Sequence, residues 1–110
     1  MSKCSLLKYT GEALKTYERV HTLRMYQPGA VYMSPNNKPY YINNAGFLHT
    51  FDVSRAVLND RPIYFILDML LTKDNTLRET SRRWFDTMDE IREAFTEIIE
   101  EAKANTEAAA

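Results

Sequence analysis

The chain has 110 residues, one domain's worth, and its 45% apolar and 26% charged residues are ordinary for a globular fold. A net charge of −1 argues against a general nucleic-acid binder, which needs a strong basic excess. The single cysteine, Cys4, rules out an intramolecular disulfide and a cysteine-based zinc site.

The near-zero sum hides an asymmetry. Residues 1–73 carry nine Lys/Arg and five Asp/Glu, a net of +4, whereas residues 74–110 carry five and ten, a net of −5. The opening residues lack the apolar run of a signal peptide. The longest apolar run, 63–71, is too short to span a bilayer and contains Asp68. These features lead to the expectation of a cytoplasmic protein with no membrane contact.

In chain order, residues 10–24 read as a helix capped by Thr10, with Leu14, Tyr17, His21 and Arg24 at helical spacing. Gln27-Pro28-Gly29 ends it. Three short strands follow. The first is AVYMS, with Val31 and Met33 on one face and Tyr32 on the other; PNNKP breaks it. The second is YYIN, with Tyr40 and Ile42 together and Tyr41 opposite; NNAG turns it. The third is FLHTF, with Phe47, His49 and Phe51 on one face and Leu48 on the other. Pairing across the turn is expected to join Tyr40 and Ile42 to Phe47 and Phe51, and Tyr41 to Leu48.

Residues 52–60 read as a short helix or turn capped by Asp52 or Ser54. Residues 61–67 are β-branched and aromatic and read as a fourth strand, with a buried helix start as the alternative. From Thr76 to Lys103 the apolar positions Leu77, Trp84, Met88, Ile91, Phe95, Ile98 and Ala102 predict a helix of roughly 28 residues, capped at Asp74, Asn75 or Thr76. ANTEAAA reads as a frayed tail. The expected fold class is α+β: a small antiparallel sheet of three to four strands, an N-terminal helix and a long C-terminal amphipathic helix. Residues 1–73 would form the sheet unit, 74–105 the long helix of the same domain and 106–110 the tail. Such a helix outruns strands of about 17–20 Å, and a sheet apolar on both faces asks for a partner, so a homo-oligomer is expected.

Few residues carry recognisable chemistry. Asp86, Asp89, Glu90, Glu93, Glu97 and Glu100 can be read as ligands for a hard cation or as a solvated face, and the second reading needs fewer assumptions. Neither His21 nor His49 has a companion set that defines a triad. No glycine-rich phosphate loop or His-Glu-x-x-His motif occurs. The expectation is a protein that is not an enzyme and uses no cofactor and no metal. Arg78, Arg82 and Arg83 at the start of the predicted helix, with acids later, oppose the helix dipole. Either a basic cluster meets an anion beside an acidic rod, or two such helices pair antiparallel.

Residues 26–47 hold four of the seven tyrosines, four asparagines and three of the four prolines. Turn and strand preferences explain much of this. The same residues, with Arg24 and Arg61, also suit a base, a ribose and a phosphate. GEALK (11–15), Val20, LRMYQPGAVYMS (23–34) and SRAVLNDRPIYF (54–65) together resemble small phage proteins of the Thoeris anti-defence type, over residues 11–66. The resemblance implies a non-enzymatic counter-defence protein that sequesters a cyclic nucleotide-type signal between subunits of an oligomer. Tyr26, Tyr32 or Tyr41 would stack on the ligand, Asn43 and Asn44 would hydrogen-bond it, and Arg24 or Arg61 would pair with phosphate. The alternative is a protein-binding inhibitor or adaptor of a host or defence protein, acting through the helix 76–103 with Arg82, Arg83, Trp84, Met88 and Phe95. A further alternative is a phage assembly or structural factor whose helix oligomerises.

Overall fold

The computed structural model describes residues 27–34, 37–72, 74 and 76–109. The helix expected over 10–24, and with it Arg24 and Tyr26, lies outside the described residues. The rest is α+β: one five-stranded antiparallel meander, β1 (Tyr32–Met33), β2 (Pro39–Ile42), β3 (Leu48–Leu58), β4 (Arg61–Leu71) and β5 (Leu77–Phe85), followed by helix α1 (Met88–Ala109). There are five strands rather than three to four.

Two expectations fail for identifiable reasons. Residues 52–60 form no helix. β3 runs on to Leu58, and Asn59-Asp60, with φ of 52° and 62°, make the two-residue turn into β4. Positive φ at both central positions gives the backbone twist that a right-twisted hairpin needs. The first third of the helix predicted over 76–103 is strand. Leu77–Phe85 pairs with Tyr64–Leu71 of β4, with a bulge between Asp68 and Met69. Arg and Glu are good helix formers, but pairing with an apolar neighbour strand outweighs that weak preference.

α1 begins instead at a capping box. Thr87 Oγ1 accepts from the Glu90 amide at 3.1 Å, and Glu90 Oε1 accepts from the Thr87 amide at 3.1 Å. Asp89 and Glu90 now occupy the first turn, so the expected conflict with the helix dipole disappears. The helix continues past residue 103, and the expected tail is its last buried turn, with Thr106 and Ala109 inside.

Residues paired across strands share a face, so the register sorts the sheet. Tyr41 pairs with His49, Phe51 with Asp68 and Val53 with Ile66, placing these on one face with Tyr64, Phe85 and Arg83. α1 lies on that face, packing Ile91 and Ala94 on Ile66 with Phe51, Tyr64, Phe85, Phe95 and Ile98 around them. Burying a side chain such as Ile91 contributes about 1.5–3 kcal/mol. The opposite face carries Tyr32, Tyr40, Ile42 and Leu48, all buried, then Phe65 and Trp84. Tyr40 and Ile42 therefore share a face with Leu48, and Tyr41 with Phe51, the reverse of the expected pairing. The loop of residues 43–47 sets Ile42 opposite Leu48 rather than opposite Phe47.

β3 and β4, at 11 residues each, extend about 36 Å. β2 covers only Leu48–Thr50 of β3. The remainder of β3 and β4, flanked by β5, forms an arm that reaches well past the short strands.

Candidate interaction surface

A chain of side-chain hydrogen bonds runs along the helix-covered face. Asn43 Oδ1 accepts from the amides of Ala45 and Phe47 at 2.9 and 3.0 Å, which fixes its Nδ2 as a donor toward His49 Nε2, 2.9 Å away. His49 must then accept at Nε2 and donate from Nδ1, and Asp68 Oδ1 receives that proton at 2.6 Å. Asp68 Oδ2 accepts from the Tyr41 hydroxyl. The Tyr41 ring stacks on His49, centroids 4.4 Å apart. Burial, and then the hydrogen bond and charge of Asp68, hold the Tyr41 phenol well above its ordinary value.

The network resembles a catalytic dyad only in part. Each potentially reactive atom is already engaged: His49 Nε2 by Asn43, and both Asp68 oxygens by His49 and Tyr41. Four polar groups so satisfied fix the register of β2, β3 and β4 on one another. No group of three or more His, Cys, Asp or Glu among the described residues is placed to hold a metal.

Of the residues expected to bind a nucleotide, Tyr32, Tyr41, Asn43, Asn44 and Arg61 are described, and these do not converge within one chain. Tyr32 is buried on the face opposite Tyr41, and Asn43 is consumed by the turn and by His49. Asn44 is exposed in that turn, and Arg61 stands at the tip of the arm, seven residues along β4 from Asp68, roughly 23 Å away.

The residues expected at a partner interface are redistributed. Arg82, Arg83 and Trp84 lie on β5 rather than on a helix. Arg82 and Trp84 share the face opposite α1, where both contact Phe65: the guanidinium sits 4.8 Å above the ring, and the indole meets its edge at 5.0 Å. Glu79 grips Arg82 with two 2.7 Å bonds, which hold the Glu79 carboxyl below its ordinary range. Arg83 points to the helix face, 5.3 Å over Phe85. Met88 and Phe95 stay together. With Val53, Tyr64, Ile91, Arg92 and Thr96 they line an open groove of about 280 Å³ between α1 and the arm.

Sequence reading missed the arm itself. Its signal was the Asn59-Asp60 pair between two β-branched runs, and the Thr87-x-x-Glu90 box that dates the helix start. The chain matches no family model, no curated protein and no solved structure. No helix among the described residues is long and apolar enough to cross a membrane.

Proposed function

We propose that the protein is a non-catalytic binding protein, an inhibitor or adaptor that engages a partner protein through the arm and the groove beside it. One observation carries this reading. Of the large apolar side chains most exposed among the described residues, Val53, Val57, Leu58 and Trp84 lie on the arm and Met88 at the start of α1, while Leu77 lies opposite Leu71 at the other end of β5. Scattered exposed apolar residues are ordinary, but five of the six gathered on one projecting element and the helix start beside it mark an interaction surface. Trp84, 62% exposed yet oriented by Phe65, and Arg82, held by Glu79, are the residue types that anchor interfaces, already fixed in place.

The test is affinity purification from the native host under gentle conditions, comparing the wild-type chain with the double variant Trp84→Ala/Met88→Ala. The reading predicts a stoichiometric protein partner that the variant loses while keeping its fold. A partner retained by the variant would move the site elsewhere and overturn it. A rise of several degrees in melting temperature with cyclic nucleotides or ADP-ribose isomers, with no protein partner, would replace it by nucleotide sequestration.

A further inference from the structure

The sheet has two edges, and the fold treats them differently. At β1, α1 closes the edge: Asn105 Nδ2 donates to the Val31 carbonyl at 2.9 Å, and Thr106 Oγ1 accepts from the Met33 amide at 2.8 Å. At β5 no hydrogen bond of the described residues reaches the outer edge of Leu77–Phe85, and every residue from Leu77 to Trp84 is exposed. Alternate residues of these nine turn N–H and C=O groups outward that no described residue pairs, and such a row is a template for another strand.

The charge on that edge is one-sided. β5 carries Arg78, Arg82 and Arg83 against Glu79 alone, a net of +2. Arg82 is neutralised by Glu79, but neither Arg78 nor Arg83 has a carboxylate partner among the described residues. Both project from the helix face of the strand, Arg78 opposite Leu70 and Arg83 opposite Ile66.

A second copy of β5 is a poor occupant. It would bring like charge to like. The bulge also leaves Thr80 without an opposite number, so Glu79 and Arg83 fall on opposite faces. Self-pairing centred on Ser81, which in a regular strand would match Glu79 to Arg83, cannot do so here.

Resting on the protein-binding reading above, we infer that the outer edge of β5 docks an extended acidic segment of the partner protein, added to the sheet as a sixth strand. Main-chain bonds supply the affinity, and carboxylates on alternate residues of the guest meet Arg78 and Arg83 on one face.

The probe is a fluorescently labelled ten-residue peptide of alternating Glu and Val. It is compared with an alternating Lys and Val peptide and with the Glu peptide carrying two central prolines. Anisotropy and amide exchange of residues 77–85 are read together on the full chain. The acidic peptide should bind, weaken with added salt and slow exchange across 77–85, while the lysine and proline peptides should not. Arg78→Glu and Arg83→Glu should each weaken binding by about fivefold or more while the chain stays folded, with at most a small drop in melting temperature for Arg83→Glu from its lost contact with Phe85. Equal binding of the lysine peptide, binding without protection of 77–85, or no binding at all would overturn the inference. So would protection of 77–85 that appears without peptide as protein concentration rises, which would make a second copy the occupant. If the acidic peptide fails while the Trp84→Ala/Met88→Ala variant still loses its protein partner, the edge inference falls and the protein-binding reading stands.

Discussion

Asn105 and Val31 are 74 residues apart in sequence and joined by a 2.9 Å bond from the side-chain amide of one to the carbonyl of the other. Beside it Thr106 receives the Met33 amide and returns its own proton to the Ala102 carbonyl. The end of the helix thus does for β1 what a further strand would do. Asn105→Leu and Thr106→Val should each lower stability by about 1–3 kcal/mol, because each leaves a backbone group of the edge without a partner. Urea denaturation measures this, and a loss below a few tenths would mean that the edge is not held by these bonds.

The start of α1 gives a smaller and more local effect. Thr87→Ala removes the cap from the Glu90 amide and should cost about 1 kcal/mol. Ile91→Ala, one turn later at the centre of the helix–sheet contact, should cost about 2–5 kcal/mol. The order of the two midpoints in one denaturation series checks whether packing or capping dominates helix docking.

Tyr41 makes stability depend on alkaline pH. Its folded-state proton is held more tightly than in the unfolded chain, where the phenol titrates near ~10. The stabilisation is therefore complete below about pH 10 and is lost as pH rises toward the higher folded value. Tyr41→Phe lacks this contribution, so the stability gap between wild type and variant should narrow above about pH 10. A gap that stays constant to higher pH would mean that the phenol does not donate to Asp68.

Asn43 tests the direction of the proton chain. Asn43→Asp places an acceptor against His49 Nε2, where the geometry calls for a donor, while keeping the turn bonds from Ala45 and Phe47. The ring can meet it only by carrying a proton on Nε2. Nitrogen NMR should show the wild-type ring with its proton on Nδ1 and Nε2 bare, and the variant ring with a proton on Nε2 facing the new carboxylate. Identical ring spectra would refute the assigned tautomer.

Alternation within strands was legible from residues alone. Tyr40 and Ile42 do share a face with Tyr41 opposite, and His49 and Phe51 do lie together, because the two-residue period depends only on local backbone. Which faces meet across a turn was not legible, since one residue of loop length inverts the match. The strand of residues 77–85 was hidden for a different reason. Its side chains are polar on both faces, so it carries no alternation, and Leu77 and Trp84 fall by chance at a spacing that continues the helix stripe. The Asn43–His49–Asp68–Tyr41 network joins three strands and needed the register to be seen. Trp84 and Met88 were picked out by residue type as interface anchors, and both prove exposed, though on a strand edge and a helix start rather than along one helix.

The arm as a partner-binding surface is tested most directly by site-specific photocrosslinking in the native host. A photoreactive residue is placed at Val57, 65% exposed on the arm, and separately at Lys103, exposed on α1 away from the arm. The predicted result is a discrete crosslinked protein partner from position 57, absent from position 103 and lost when Trp84→Ala is added. Crosslinks of equal yield from both positions, or none from position 57, would contradict it.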